Sequence, residues 1–545
     1  MTTLEDNEFD KYIQFLEKNR EDFSTWIKIL TVAENGRKIN QIRKSFDLFL
    51  SIYPFAFGYW NKYSLLDLEN QEEIYERAVK VAYYCVDIWI FYCRYSIENK
   101  PPDFTRNLFE RAIEAVGTDF FSTNLWNDYI EWEFSQNKPE NVTKIYQKVI
   151  QIPIQQIEIY WQNYKRHAQT RPLSELEPEN LSQNENEEKK ENEQNNLFKL
   201  QTILQKQEQE FQKTLVKFNK IIIYESGILR PYFHIHPLDD QQLYIWNSYL
   251  NYAEEQYKLN LESFEFVIKL YERSVISCSL YPSFWLKFAL FYEENNKIQE
   301  ARNIFQKATQ IFIPNRPKIQ NIKNKKNQKA IAEGFIKLAH FEYRISNKSN
   351  EIFINSLENT LSELTEYYAN SRLTKRKNNK IYAIITIELC RFLTNQLMDN
   401  LMSSNQSQSD LINQIRELFE RAFDYSEHFI HLWISYINFE IQIIQDDNIS
   451  KVIDLFNRAT SDESLLNIKD KLSICLLHVE FLRNFSKEIS SLFLLNEKIS
   501  KLKKEANEKK INYYHGIQKH ELIFSEYFKG TFLKPQTRFP NTKFN

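Results

Sequence analysis

The chain has 545 residues, is 42% hydrophobic and 15% aromatic, and carries a formal net charge of −3, a balance that excludes recruitment of nucleic acid by bulk charge. Its 7 glycines (Gly36, Gly58, Gly117, Gly227, Gly334, Gly516 and Gly530) all stand alone. That excludes a P-loop or a dinucleotide fingerprint, because both need clustered glycines to bring backbone N–H groups against phosphate.

In chain order, Met1 to Asp10 is acidic and lacks the apolar core of a secretory signal. No apolar run approaches the roughly 18 residues of a membrane span, so a soluble intracellular protein is expected. From about Phe9 the chain settles into a two-part phrase. The first part is a Trp, an aromatic three residues on, and an acid at or just past the seventh. It reads Trp60-Tyr63-Asp67, Trp126-Tyr129-Glu133, Trp246-Tyr249-Glu254, Trp285-Phe288-Glu293 and Trp433-Tyr436-Glu440. The second part is an aromatic followed by Glu-Arg-Ala, as at Tyr75 to Ala78, Phe109 to Ala112 and Phe419 to Ala422. Looser copies start at Tyr271, Phe305 and Phe456.

Trp26, Trp60, Trp89, Trp126 and Trp161 recur at roughly 30 to 40 residues, a period that means stacked repeats rather than one globular core. Each repeat holds two helices. In the first, the Trp, the aromatic and the acid share one face; Trp126 is placed on the face shared with the second helix of its own repeat. In the second, Ala allows close approach, and the Arg (Arg77, Arg111, Arg273, Arg421) should reach an acid of a neighbouring helix such as Asp67 or Glu133. Pro54 and Pro153 follow second helices, where they would stop them.

The first block is taken as residues 1–170. Residues 171–196 are Asn/Glu-rich with almost no large apolar side chain; such a stretch reads as a disordered linker, with an acidic partner tail as the other reading. Residues 197–237 form a long connecting helix and a Pro-flanked connector. A second block follows at 238–500, then a helix and polar tail at 501–545. Between Trp285 and Trp433 the spacing widens to about 50 residues through polar insertions at 315–329, 371–380 and 399–409, and the copies at Phe335 and Tyr382 lack Trp. The fold class expected is all-α, a superhelical solenoid of two-helix repeats in two blocks.

The alternating phrase resembles the HAT (half-a-TPR) repeat of RNA-processing scaffolds, distinguished from an ordinary tetratricopeptide by its Trp and Glu-Arg-Ala. Three stretches resemble segments typical of the pre-mRNA-processing factor 39 family. They are Gly227 to Leu238 (GILRPYFHIHPL), Glu114 to Phe120 leading into Leu125-Trp126, and Tyr271 to Tyr281 before Phe284-Trp285. The likeness covers most of residues 10–500. It implies a nuclear, non-enzymatic scaffold of the U1 small nuclear ribonucleoprotein in pre-mRNA splicing, supporting 5′ splice-site recognition and early spliceosome assembly through protein contacts. It further implies dimerisation through the C-terminal repeats, with itself or a paralogous HAT protein, and an N-terminal block free to meet U1 proteins. U1 RNA or pre-mRNA would be touched at most locally. The alternative is a HAT scaffold of another RNA machine, in 3′-end cleavage or ribosome assembly.

No catalytic residue, cofactor, metal, membrane or small-molecule substrate is expected. The 5 cysteines lack zinc spacing and read as buried reduced thiols. His234 and His236 lack a third ligand nearby and read as a packed connector. Residues expected to build the repeat core are Trp60, Tyr63, Arg77, Trp89, Arg111, Trp126, Tyr129, Glu133, Trp246, Tyr249, Arg273, Trp285, Trp433, Tyr436 and Arg421. The last helix pair, about 469–501, crowds apolar residues on more than one face; Leu476, Leu477, Phe481, Phe485, Leu492 and Phe493 are the expected dimer contacts, with a folded-back tail as the other cover. Basic clusters at Lys323 to Lys329, at Arg372, Lys375, Arg376 and Lys377, and at Lys501 to Lys510 read as solvated loops or as RNA or import contacts.

Overall fold

The computed structural model describes residues 9–16, 22–176, 193–312, 325–370, 380–399, 405–443, 449–485 and 489–509. Every regular element among them is an α-helix, as the periodicity predicts. The chain divides into two compact units, residues 1–323 and 324–545. The division falls in the insertion at 315–329, inside the second run of repeats, rather than in the acidic stretch at 171–196.

The first unit opens with α1 (residues 9–16) and then stacks helix pairs. They are α2 (Phe23–Gly36) with α3 (Ile39–Ile52), α4 (Phe57–Leu66) with α5 (Gln71–Val81), and α6 (Val86–Asn99) with α7 (Pro102–Val116). After α8 (Thr123–Ser135) with α9 (Pro139–Val149) come α10 (Ile157–Ala168) and the short α11 (Leu173–Leu176). A 33-residue helix α12 (Glu193–Glu225) follows, then α13 (Asp240–Lys258) with α14 (Phe264–Ser277) and α15 (Pro282–Glu294) with α16 (Ile298–Phe312). The second unit holds α17 (Lys325–Ile345), α18 (Asn350–Asn370), α19 (Lys380–Asp399), α20 (Asn405–Ser426), α21 (Ile430–Gln442), α22 (Ile449–Ala459), α23 (Ile468–Phe485) and α24 (Ile489–Glu508).

Local chemistry explains the boundaries. Asp22, Asp239 and Ser263 accept first-turn N–H groups as N-caps. Prolines open α7, α9 and α15, where a missing N–H costs nothing. The turns inside repeats run through left-handed residues, Arg37, Asn137, Asn260 and Asn296 (φ 49° to 58°). Asn tolerates that conformation, which is how so many tight turns are made with so few glycines. Gly117 is the exception: a Cβ there would stand 2.5 Å from the Ile113 carbonyl oxygen. Its own carbonyl accepts from Trp126 Nε1 (2.9 Å) and Ser122 Oγ (3.0 Å).

The phrases join successive repeats. At five junctions the second-helix aromatic stacks on the aromatic three residues past the next Trp: Phe46 on Tyr63, Tyr75 on Tyr92, Phe109 on Tyr129, Tyr271 on Phe288, and Phe419 on Tyr436. Centroids lie 4.6–5.3 Å apart with rings within 20° of parallel. The alanines of the phrase, Ala78, Ala112 and Ala422, are fully buried between helices.

Candidate interaction surfaces

The side chains predicted to form the repeat core divide into buried and half-exposed sets. Trp60, Tyr63, Trp89, Trp126, Tyr129, Glu133, Trp246, Tyr249, Trp285, Trp433 and Tyr436 are all buried. The indole N–H groups of Trp60, Trp89, Trp285 and Trp433 donate to carbonyls six residues upstream, at 2.7–3.0 Å.

Arg77 and Arg111 each reach an acid of a neighbouring helix, as expected, but not Asp67 or Glu133. Arg77 pairs with Asp47 (2.7 Å) and Arg111 with Glu76 (2.8 and 3.0 Å). Each arginine reaches back to the acid beside the aromatic of the preceding second helix, and lies over the Trp of its own repeat, Arg77 on Trp60 and Arg111 on Trp89. In the second unit Arg458 repeats the move, pairing with Glu420 and lying over Trp433. Arg421 is exposed on α20. Tyr92 and Tyr129 donate to Glu76 and Glu110 of the same row. The Arg111 guanidinium and the Tyr92 hydroxyl hold the Glu76 carboxyl below its usual range against the pull of burial.

A second row of arginines went unread in the sequence. Arg43, Arg106 and Arg416 stand three residues before the second-helix aromatic and take the buried acids Asp67, Glu133 and Glu440 in bidentate pairs of 2.6–3.1 Å. The Arg43 contact holds the Asp67 carboxyl below its usual range, against the opposing effect of burial. The spacing Arg-x-x-aromatic was the available signal.

Where the first block ends, α12 supplies a disguised phrase, Tyr224-Glu225. Tyr224 stacks on Tyr249 (5.0 Å, 1°), and Glu225 accepts from Arg273 (2.7 and 3.0 Å). Arg273 also contacts Asp119 in the turn after α7, at 2.6 Å, and lies over Trp246 and Phe121. All three charged groups are largely removed from solvent, with side-chain exposures of 12% for Arg273, 1% for Glu225 and 9% for Asp119. Burial raises the Asp119 carboxyl although Arg273 opposes it.

The same stretch straps one edge of the N-terminal pairs. The turns at 53–56, 82–85 and 117–122 share that edge, since each joins a second helix to the next first helix. Phe211 stacks on Trp161, Phe218 on Phe120, Tyr232 packs on Phe57 and Phe233 on Tyr53. Lys269 Nζ donates to the Glu114 carbonyl (3.2 Å). A cavity of about 190 Å³ between Tyr84, Thr118, Ser263 and Lys269 lies along this seam.

In the second unit, the predicted dimer contacts separate. Phe481 is buried against Phe456 and Phe485 and faces inward. Leu477 and Leu492 are half-buried. Leu476, Phe485, Phe493 (79% exposed) and Leu494 face solvent. Here the repeat degenerates: Phe456 stacks on His478 (4.4 Å, 2°), which takes the place of the usual tyrosine, and Cys475 that of the Trp. Burial pushes His478 down to about 4, so it packs as a neutral ring.

Arg372, Lys375, Arg376 and Lys377 lie outside the described residues. Lys501, Lys503 and Lys504 are exposed on α24, and Lys509 just past its end. His236 N donates to His234 Nδ1 (3.0 Å); among the described residues no three His, Cys, Asp or Glu side chains gather as a metal would need. All five cysteines are free and buried. No described helix is long and apolar enough to cross a membrane.

Two family models match the chain: the PRP39 N-terminal HAT repeat over residues 10–166 and the PRP39 C-terminal HAT repeat over residues 219–357. Together they take in more than half of it, and the second begins inside α12, just ahead of Tyr224-Glu225. Pre-mRNA-processing factor 39 of Homo sapiens is 27% identical over 564 residues, covering 94% of this chain and 80% of that protein. Pre-mRNA-processing factor 39 of Schizosaccharomyces pombe is 31% identical over 344 residues, covering 56% of this chain and 55% of that protein. Among solved structures, the crystal structure of CSTF-77 aligns over 84% of this chain and 90% of that one, at 12% identity and a TM-score of 0.43.

Proposed function

Because the chain belongs to the pre-mRNA-processing factor 39 family of HAT-repeat proteins, we propose that it is a non-enzymatic scaffold of the U1 small nuclear ribonucleoprotein. It works in the nucleus, holding proteins together during 5′ splice-site recognition and early spliceosome assembly. The observation that carries this reading is the family match over both runs of repeats, on a chain whose shared motifs are spent on joining one repeat to the next. The arginines, acids and tyrosines of the phrases face one another across helices, so the motif makes a rigid array and leaves its surfaces for partners.

The second unit supplies the dimer contact in this reading. Phe493, Leu494, Leu476 and Phe485 expose apolar surface on the terminal helix pair, and a two-fold axis through that patch would bury it on both copies. Tagged full-length chain purified from nuclei should bring U1 RNA with it; enrichment of a different RNA in its place overturns the assignment. Light scattering of the pure chain should report a dimer, and a truncation ending near Asp462 should report a monomer. A monomeric full chain, or a truncated one still dimeric, overturns the dimer.

A further inference from the structure

The edge of the N-terminal pairs opposite the strap is formed by the turns at 37–38, 67–70, 100–101 and 136–138, each joining a first helix to its second. At the eighth residue past Trp60, Trp89 and Trp126 this edge carries Leu68 (70% exposed), Ile97 and Phe134, all exposed, the last with one side edge-on to His167, and Leu65 lies one turn before Leu68. Those positions follow the last buried residue of each first helix, and nothing in the repeat requires them to be apolar; the corresponding residues after Trp26 and Trp161 are Glu34 and Gln169.

Neighbouring first helices pack side by side, as the Lys62–Glu34 (2.7 Å) and Arg94–Asp128 (2.7 Å) pairs show. Leu68, Ile97 and Phe134 stand at or just past the C-terminal ends of three successive first helices, in a row along this edge.

The frame of that row is acidic. Glu69, Glu98 and Asp103 are exposed beside Leu68 and Ile97, Glu69 reaching Arg43 at 3.4 Å and Asp103 reaching Arg106 at 3.5 Å, and Glu131 lies exposed one turn before Phe134. The lysines nearby are engaged: Lys100 pairs with Glu72 (2.5 Å) and Lys138 lies 3.7 Å from Glu140. An acid-framed apolar row repels phosphate backbones and attracts lysine- or arginine-bearing apolar segments.

We propose that this edge is the docking site for a basic, apolar segment of a partner protein. The proposal rests on the reading of the chain as a scaffold and names where and by what chemistry its N-terminal repeats take a partner. The strap adds a reason for the choice of edge, since the chain itself already covers the other one.

The test is fluorescence anisotropy of the full chain with a synthetic helical peptide of leucine and lysine at amphipathic spacing, beside a leucine–glutamate peptide of the same pattern. The lysine peptide should bind and the glutamate peptide should not. The triple variant Leu68→Ser/Ile97→Ser/Phe134→Ser should weaken binding at least tenfold. The variant Glu69→Gln/Glu98→Gln/Glu131→Gln should weaken it severalfold at low salt and flatten its salt dependence. A control, Ile223→Ser/Tyr244→Ser, changes two other exposed apolar residues and should bind as the parent does. All are surface changes, and unchanged thermal melts confirm folding. Equal affinity in the row variant, an equal loss in the control, or equal binding of the glutamate peptide overturns the proposal. Tighter binding of a single-stranded RNA of the same length, lost in the row variant, overturns it in favour of nucleic acid. Failure here with U1 RNA still co-purifying leaves the scaffold reading standing; loss of U1 RNA with peptide binding intact removes that reading alone.

Discussion

The arginine of the Glu-Arg-Ala phrase does the same thing at Arg111 and at Arg273, yet the two sites live in different media. Arg111 and Glu76 pair at the surface, with exposures of 48% and 41%, one step in a regular ladder. Arg273 pairs with Glu225 and Asp119 where α12, α14 and the turn after α7 close on one another, almost without solvent. Geometry is shared and energetics are not. In water the pair is screened and adds little; out of water the charges hold one another only while all are present. A repeat motif thus acts as spacing along the array and as a clasp where the chain doubles back.

The largest effect should come from opening the clasp. Arg273→Ala leaves Asp119 and Glu225 buried without a cation, at a cost of roughly 3–5 kcal/mol. Urea unfolding of the full chain should lose that stability, and hydrogen exchange should quicken first in α12 and at 117–122. Unchanged protection there would mean that the strap is held by its aromatic contacts alone. An intermediate effect belongs to the unread arginine row. Arg106→Ala strands the fully buried Glu133, though Asn141 still donates to it (3.1 Å), so about 2 kcal/mol is expected, read in the same urea titration.

A pH dependence separates the two regions further. Glu272, beside Arg273 on α14, is raised to about 7 by burial, with Lys307 opposing and Tyr84 and Tyr292 facing it. Between the ordinary carboxylate value and about 7 the native state then binds more protons than the unfolded chain, so this group's contribution is present at low pH and fades as pH rises through 7. Glu272→Gln should remove a decline of about 1–2 kcal/mol between pH 5 and 7.5, measured as the difference in urea midpoints. Asp67, in the second arginine row, has the opposite sign: held low by Arg43, it contributes above the unfolded value and its contribution fades only as pH drops below it.

Much of this was legible in the sequence. The Trp-aromatic-acid and Glu-Arg-Ala phrases are periodic, and periodicity reports which face of a helix is buried. The all-helical fold and the burial of Trp60, Trp126 or Trp433 follow from that alone. What periodicity cannot report is which repeat a side chain bonds to. The phrase says that its arginine meets an acid of a neighbouring helix but not which one; stacking gives Asp67 to Arg43 and sends Arg77 back to Asp47. The clasp was hidden for a related reason. Tyr224-Glu225 has lost the Arg-Ala half of its phrase, and Asp119, the other acid that Arg273 holds, lies about a hundred residues away from it, a distance no local pattern encodes. Phe481 fits a surface stripe by composition, but Phe456 and Phe485 enclose it.

The smallest effect, and the sharpest test of the comparison, is at Arg111. Its guanidinium is half exposed, bonded to an equally exposed Glu76, and lies over Trp89 (Cζ 5.6 Å from the ring centroid). Two contributions are therefore mixed in Arg111→Ala: the ion pair, worth a few tenths of a kcal/mol once solvent screening is counted, and the cover over the indole, worth about 0.5–1 kcal/mol. Arg111→Met keeps the apolar stem but removes the guanidinium that lies on the indole, so it should recover only part of the loss. A double-mutant cycle of Arg111→Ala with Glu76→Ala should give a coupling below about 0.5 kcal/mol that vanishes in high salt. The same cycle on Arg273 and Glu225 should give a coupling several times larger that salt barely moves. Equal couplings at the two sites would show that burial does not separate them, and the distinction between ladder and clasp would fall with it.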